Sequence, residues 1–465
     1  MRSPGTGRRV AAGLAMVPVL VGLAALPAQA TEEERRGGRL AAELRAAVVE
    51  QRFSEVVDYD PPAVSTEPAG ERSGLEQKVF QAPESSAVPI ARTPNVDAAV
   101  IELDERGRPT AVANVVLSKD YPDGAVVPVD ENLSTTDVRW RRWNTEEWDA
   151  GSAGSEDVLP GREQAPLEVM SPYPASVLKL MVGFGVLRLV DRGTVRLDDN
   201  YTYAPANTSC GAAGTESIRV WFDRMITYSD NRSTCALIKM MHDLDVVDEL
   251  NATFGELGLG TLQVRGTNPT TGGTWVGMSM TALDTARLLL IVSGAPGKLW
   301  KTPAGEPVTA GLLSSSSRAF FYGKLAEQGL NHALSTTNWC GRSYPAPGIP
   351  QRVSSRWINP DDGTVTVDGR VYGQDVRPCN RRAEVTFAHK TGLTNQAGGD
   401  AGIVHSLPWA PKRHYIVVVF TNLGLRFGDA YKPADPPGIY PVAYTERIGK
   451  LGRTIDDIMT RRGFR

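Results

Sequence analysis

The sequence contains few of the residues that build metal centres. Its 465 residues include four cysteines and five histidines. No C-x-x-C or H-E-x-x-H pattern occurs, and the histidines are scattered, so the ligand spacing of a zinc site is missing. We therefore expect no metal ion and no other cofactor, and we interpret the histidines as core or surface residues.

An excess of charge of one sign is also missing. The chain has 50 Lys and Arg residues against 53 Asp and Glu residues, a net charge of -3. No long basic block follows the first residues, so electrostatic binding of nucleic acid or of another anionic polymer is not predicted. The apolar fraction of 41% is normal for a globular protein with a substantial core.

The amino terminus has the pattern of a secretory signal. Arg8 and Arg9 precede an uncharged run, residues 10–26, and the small-residue A-x-A form follows at residues 28–30. The run is shorter than the roughly 20 residues of a membrane span, so we favour cleavage over an uncleaved anchor. We interpret residues 1–30 as a signal peptide, with the twin-arginine route left open. The expected product is secreted or cell-wall-associated, without a membrane span after cleavage.

The four cysteines, an even number in a chain with an export signal, predict two disulfides. Three pairings are possible, and the spacing of the residues cannot decide between them. Proximity along the chain favours Cys210 with Cys235 and Cys340 with Cys379.

Three short motifs are present, and they occur in a meaningful order. Each alone is weak, because S-x-x-K and K-T-G arise by chance in chains of this length. Together and in this order they specify an acyl-transfer site. The motifs are Ser176-Val177-Leu178-Lys179, Ser229-Asp230-Asn231 and Lys390-Thr391-Gly392.

On these motifs the chain resembles the superfamily of class A β-lactamases and penicillin-binding D-Ala-D-Ala peptidases, over about residues 96–465. The resemblance implies an α/β (α+β) fold of the β-lactamase and transpeptidase type. In that fold an antiparallel sheet is flanked by helices, and an all-α domain is inserted. The implied substrate is a β-lactam or a peptide resembling the peptidoglycan stem.

The pattern of apolar residues agrees with such an arrangement. Residues 96–104 and 111–117 have the composition of a β-hairpin, and residues 401–405 and 415–422 have that of two further strands. Helical spacing is found at residues 31–52, 175–191, 217–228, 234–241, 246–254, 280–291 and 441–460.

We divide the chain on this basis. Residues 31–95 are a helix and a linker, and residues 96–465 form the hydrolase domain. Its α/β part comprises residues 96–170 and 380–465, its mainly all-α part residues 171–334, and an insertion residues 335–384.

The first motif supplies a nucleophile and a base. A serine hydroxyl needs an adjacent base at neutral pH, and Lys179 lies one helical turn after Ser176. The start of a helix disfavours positive charge, and Lys390 adds a second cation, so we predict a lowered Lys179 pKa. A Ser-His-Asp triad is disfavoured, because no G-x-S-x-G occurs in the sequence. The only feature that singles out His389 is its position directly before Lys390.

The resemblance implies roles for the other motif residues. Ser229 would relay a proton to the leaving nitrogen, and Asn231 would bind the substrate amide and help to hold Lys179. Lys390 and Thr391 would receive the substrate carboxylate. Gly392 would let the edge strand approach the substrate, and the N–H groups of Ser176 and Leu393 would form the oxyanion hole.

One element of class A β-lactamases is missing. Their E-x-x-L-N loop carries the Glu that activates the deacylating water. Here residues 257–283 contain neither Asp nor Glu, although Asn268 matches the Asn of that loop. Fast β-lactam hydrolysis is therefore in doubt, and a D-Ala-D-Ala carboxypeptidase or related amidase or esterase is an alternative. A binding protein that does not hydrolyse penicillin or wall fragments is a third reading, disfavoured by the three intact motifs.

Overall fold

The computed structural model describes residues 1, 32–58, 88–340, 347–372, 374–429 and 445–463. The predicted signal peptide beyond residue 1 and residues 59–87 of the predicted linker lie outside them. In the described part of the chain, no helix combines the length and the apolar character needed to cross a membrane.

Most of the helices lie where the spacing of apolar residues predicts one. Their bounds are α1 Glu32–Glu50, α2 Thr145–Asp149, α3 Lys179–Asp191, α4 Ile218–Thr227, α5 Asn231–Asp243, α6 Val247–Glu256, α7 Ala282–Ser293, α8 Ser315–Ala326, α9 Arg377–Arg381 and α10 Thr445–Arg462. Single 3-10 turns occur at Phe53–Glu55, Ala175–Leu178, Ala310–Leu312, Thr337–Trp339 and Ser355–Trp357.

The strands divide into one main sheet and several short pairs. Their bounds are β1 Val57–Asp58, β2 Val88–Pro89, β3 Val96–Leu103, β4 Pro109–Leu117, β5 Ala125–Val127, β6 Val138–Arg141, β7 Leu167–Met170, β8 Asn200–Tyr203, β9 Gly214–Ser217, β10 Trp300–Lys301, β11 Pro307–Val308, β12 Val365–Val367, β13 Arg370–Tyr372, β14 Val385–Leu393, β15 Gly398–Ser406, β16 His414–Thr421 and β17 Phe427–Gly428.

The main sheet is antiparallel and has the order β14-β15-β16-β3-β4-β5. Strands from the two ends of the chain therefore meet at its centre, where Ile416 lies opposite Ile101. The strand that carries the third motif, β14, lies at the edge, and Thr391 pairs with Asp400 of β15. An edge strand leaves one row of backbone groups for another partner.

Both faces of this sheet are covered, so every residue of β3 is buried. Successive side chains point to opposite faces. Ala99 and Ile101 join a core with the helices between residues 179 and 326, whereas Ala98 and Val100 join a second core with α1 and α10. The predicted fold class is confirmed: helices flank an antiparallel sheet, and a helical region is inserted in the chain between β4 and β14.

Both expected disulfides form, Cys210 with Cys235 and Cys340 with Cys379. The first joins α5 to the segment before β9. The second lies in residues 335–384, where the described residues form only 3-10 turns, the hairpin β12–β13 and the short helix α9.

Candidate active site

Ser176 lies in a 3-10 turn, Ala175–Leu178, that leads directly into α3. Ala175 has a φ of 47°, a left-handed conformation that is uncommon for a residue with a side chain. Such strain clusters at functional sites when the surrounding structure maintains it. Ser176 is half-buried, and among the described residues its hydroxyl has no hydrogen-bond partner.

The second motif forms the junction between α4 and α5. Ser229 has a φ of 67°, so the chain reverses sharply there. Asp230 then caps α5, and its carboxylate accepts hydrogen bonds from the backbone N–H groups of Arg232 and Ser233 at 3.3 and 2.8 Å. This cap fixes the start of the helix, and Asn231 is its first residue.

Lys179 connects the first two motifs. Its side chain is fully buried, and Nζ lies 2.9 Å from Ser229 Oγ and 2.6 Å from the Ser229 carbonyl oxygen. Asn231 Oδ1 lies 2.8 Å away. Because three polar atoms surround the amine, its position beside the Ser176 turn is well determined.

Burial lowers the pKa of Lys179 well below its ordinary value, and the positive charge of Lys390 lowers it further. Asp230 opposes this with a smaller effect. The lowered pKa agrees with the sequence prediction. A neutral amine has two N–H donors and one lone pair. The Ser229 carbonyl and Asn231 Oδ1 can accept hydrogen bonds from the two N–H groups, which leaves the lone pair to accept the proton of a hydroxyl.

The third motif lies on β14. Lys390 is fully buried, and its Nζ donates a hydrogen bond to the Thr391 carbonyl oxygen at 2.8 Å. Burial lowers the Lys390 pKa to about 7, against an opposing effect of the negative charge of Asp400. A cation with little hydration is suited to binding an anion that enters from solvent, because it loses little water in doing so.

Gly392 brings β14 against the Ser176 turn. A Cβ atom built on Gly392 would lie 2.5 Å from the Pro174 carbonyl oxygen and 3.0 Å from the Val177 nitrogen. Real Cβ atoms do not approach so closely, so the contact requires glycine. Leu393 follows at the same end of the strand and is half-buried. The structure therefore brings all eight predicted site residues to one junction, between the Ser176 turn, the start of α5 and the end of β14.

A buried polar network behind Lys390 was missed by the sequence analysis. His389 Nε2 lies 2.8 Å from Asn331 Oδ1, and Asn331 Nδ2 donates to the Gln328 carbonyl, so Nε2 carries a proton. His389 Nδ1 lies 2.8 Å from Asp400 Oδ1. The only signal in the sequence is that His389 precedes Lys390.

The loop after α6 leads back to the site. Gln263 and Ser279 form a bridge at its base, and Arg142 donates to the Gln263 side chain and to the Gly277 carbonyl at 3.0 and 2.7 Å. Arg265 is exposed. This is the segment without Asp or Glu, so it brings no carboxylate to the site. Within the ranges that the structure describes, no group of three or more metal-ligating side chains occurs.

The arrangement has the parts of a serine acyl-transfer site: a hydroxyl at the start of a helix, a desolvated amine one turn later, and a buried cation on the facing strand. Residues 169–325 match the sequence model of a β-lactamase enzyme family. No curated protein matches the chain.

Solved structures with a similar fold include PBP-A, which is 18% identical, with 80% of this chain and 93% of that chain covered and a TM-score of 0.41. A β-lactamase from Sphaerobacter thermophilus is 14% identical, with 90% and 97% covered and a TM-score of 0.41. A β-lactamase from Chitinophaga pinensis is 18% identical, with 62% and 85% covered and a TM-score of 0.36. By its family match and its three motifs, the chain is similar to the superfamily of class A β-lactamases and penicillin-binding peptidases, as the sequence predicts.

Proposed function

We propose that the chain is an exported serine hydrolase that forms an acyl-enzyme on Ser176 with β-lactams or with the D-alanyl-type amides that they resemble. The observation that carries the proposal is the environment of Lys179. This amine is buried one helical turn after Ser176, contacts Ser229 and Asn231, and has a pKa well below its ordinary value. A neutral amine at this position is suited to act as a general base.

In the proposed acylation step, Lys179 accepts the proton of the Ser176 hydroxyl as Oγ attacks the substrate carbonyl carbon. The carbonyl oxygen becomes an oxyanion, which the N–H groups of Ser176 and Leu393 stabilise. The C–N bond then breaks, and the leaving nitrogen receives a proton from Ser229, which is replenished from the Lys179 ammonium at 2.9 Å. The product is an ester on Ser176, and the amine departs from a D-alanyl amide but stays attached to the adduct when a β-lactam ring opens.

The remaining motif residues would bind the substrate. Lys390 and Thr391 would receive its carboxylate, and Asn231 would accept a hydrogen bond from its amide N–H or donate one to its carbonyl. Gly392 would keep the strand close to the ester. The absence of a carboxylate between residues 257 and 283 supports a second candidate, a D-Ala-D-Ala carboxypeptidase or related amidase or esterase that does not need rapid β-lactam turnover.

The two disulfides support export, because disulfides persist mainly in oxidising compartments. Together with the amino-terminal signal pattern, they support a secreted or wall-associated protein. We also propose the division of the chain given by the sequence, with the hydrolase domain at residues 96–465 and an insertion at residues 335–384.

Covalent labelling with a fluorescent penicillin tests the proposal. The parent protein should gain one adduct in intact-mass spectra, and peptide mapping should locate it on Ser176. Ser176→Ala should abolish the adduct, because no other Ser in a described motif has a lysine one turn away. Ser315→Ala changes an exposed serine at the start of α8 and serves as the control. Persistent labelling of the Ser176→Ala protein would contradict the proposal.

A further inference from the structure

Trp275 lies beside the buried amine of the site. The centre of its indole ring is 5.9 Å from Lys179 Nζ. Lys179 is fully buried, whereas Trp275 is only half-buried, so the ring covers the amine on one side and meets solvent on the other.

The ring is held in this position by its own loop. Trp275 Nε1 donates to the Gly272 carbonyl oxygen at 2.9 Å, and the Trp275 carbonyl oxygen accepts a hydrogen bond from the Tyr173 hydroxyl at 3.3 Å. The preceding residue, Thr274, has a φ of 65°, a left-handed conformation that persists only where the surroundings maintain it. Tyr173 lies three residues before Ser176, so the indole is tied to the turn that carries the serine.

The loop that carries Trp275 packs closely against α5 and the Cys210–Cys235 disulfide. A Cβ atom on Gly272 would overlap the Cys235 carbonyl of α5, and one on Gly273 would contact Cys210 Sγ at 3.5 Å. The Cys210–Cys235 disulfide therefore supports the segment that orients the indole. The Trp275 side chain is therefore held in one position by contacts of its ring, its backbone and its loop.

Two physical effects of the indole on Lys179 have opposite signs. A ring within about 6 Å of an ammonium group attracts its charge and favours the protonated form. Exclusion of water favours the neutral form. The Lys179 pKa is lowered, with burial as the largest cause, and the indole 5.9 Å from Nζ is part of the surroundings that bury the amine. The same ring lies on a loop without carboxylates, and Tyr173 ties that loop to the segment that carries Ser176.

We propose that Trp275 is a positioning residue that keeps water away from Lys179 and from the Ser176 ester, and that it thereby sets the lifetime of the acyl-enzyme. This inference rests on the proposed function. Trp275 would control the second half of the reaction, in which water hydrolyses the ester. This step forms the free acid and returns a proton to the Ser176 hydroxyl.

Adduct decay provides the test. The parent and its variants are labelled with a penicillin, excess reagent is removed, and the Ser176 adduct is followed by intact-mass spectrometry. Trp275→Ala opens space for several waters next to the ester, and release should become about tenfold faster or more, with a smaller change in the labelling rate. Trp275→Phe loses the Nε1 hydrogen bond but keeps an aromatic wall, so its release rate should stay within about threefold of the parent's.

Val276→Ala is the matched control, because Val276 is the next residue of the same loop and is 59% exposed. It should leave release unchanged. Release from Trp275→Ala at the parent's rate would overturn the inference, and so would a Trp275→Phe protein that releases as fast as Trp275→Ala, since the hydrogen bond would then matter rather than the ring. If Trp275→Ala does not fold, Trp275→Leu replaces it with the same expectation. A parent without any Ser176 adduct would instead contradict the proposed function.

Discussion

Lys179 and Lys390 are both buried, but their surroundings differ and so do the protonation states that they favour. Lys179 has three oxygen partners from Ser229 and Asn231, and Lys390 lowers its pKa further. Lys390 has a pKa of about 7, held up partly by the charge of Asp400. Near neutral pH, Lys179 is therefore suited to accept a proton, while Lys390 is partly charged and suited to bind an anion.

This difference predicts the pH dependence of acylation by an anionic penicillin. Lys390 is an ammonium below its pKa and neutral above it, so the rate should fall as the pH rises through about 7. Lys390→Ala should lower the rate by about 10- to 150-fold at pH 6, because a hydrogen bond to a charged group contributes about 1.5–3 kcal/mol. In the Lys390→Ala variant the labelling rate should no longer fall as the pH rises above about 7. The measurement is the second-order labelling constant between pH 5.5 and 9.

Two controls separate this effect from general changes. A penicillin methyl ester has no carboxylate, so its labelling rate should not fall above pH 7. Lys412→Ala removes an exposed lysine just before β16 and should behave as the parent does. A parent whose labelling rate rises steadily to pH 9 with the anionic penicillin would exclude Lys390 as the carboxylate-binding group.

Single residues of the site could be predicted from the sequence where they belong to a local pattern. Ser176 and Lys179 are three residues apart on one helical turn, so their proximity is a local property. The partners of His389 could not be predicted in this way, because Asn331 is 58 residues distant in the sequence and meets it only in the folded chain. Trp275 was missed for the same reason, since only the fold of its loop brings it to Lys179.

At the scale of elements, α5 is the part on which the site most depends. Its cap, Asp230, separates Ser229 from Asn231, and Cys235 lies one turn further along the same helix. The Cys210–Cys235 disulfide joins this helix to the segment before β9 and supports the loop of Trp275. The other disulfide, Cys340 with Cys379, joins two parts of residues 335–384.

Removal of each disulfide should therefore have a different consequence. The bridged residues are 25 and 39 positions apart, so the two double serine variants should each lose about 3–4 kcal/mol of unfolding free energy. Only the variant of Cys210 and Cys235 should also label more slowly with penicillin, because α5 positions Asn231. Urea unfolding and the labelling rate measure the two effects. Equal labelling rates in both variants would show that the bridge has no part in shaping the site.

The elements themselves were predictable to the extent that their apolar residues repeat. The spacing at residues 217–228 and 234–241 predicts α4 and α5, which occur at Ile218–Thr227 and Asn231–Asp243. The start of α5 was placed late, because its cap precedes the first apolar residues. No helix was predicted at α8, Ser315–Ala326, where a run of serines opens the helix and only Ser317, Phe321 and Leu325 are buried.

At the scale of the molecule, the candidate site lies where separate parts of the chain meet. The Ser176 turn and α5 belong to the core with the helices, whereas β14 has one face in each core. Residues 118–168 add a further support, since Arg142 holds the loop of residues 263–279. Trp140 and Trp148 of that segment are buried. Such long-range junctions determine the geometry of the site.

This architecture predicts slow turnover of β-lactams. Asp230, which is close enough to Lys179 to affect its pKa, caps α5. Asp284, the first carboxylate after residues 257–283, contacts Arg287 at 2.9 Å and Thr261 Oγ1 at 2.6 Å. A general base contributes about 10² to 10⁴ in rate, so without one the ester on Ser176 should persist. We expect a burst of one equivalent of ring-opened β-lactam, bound to Ser176, followed by a slow phase of hydrolysis, measured by absorbance alongside intact-mass spectra. Heat-denatured protein is the control. Rapid linear hydrolysis without an accumulated adduct would mean that a group already in the site, such as Lys179, activates water efficiently.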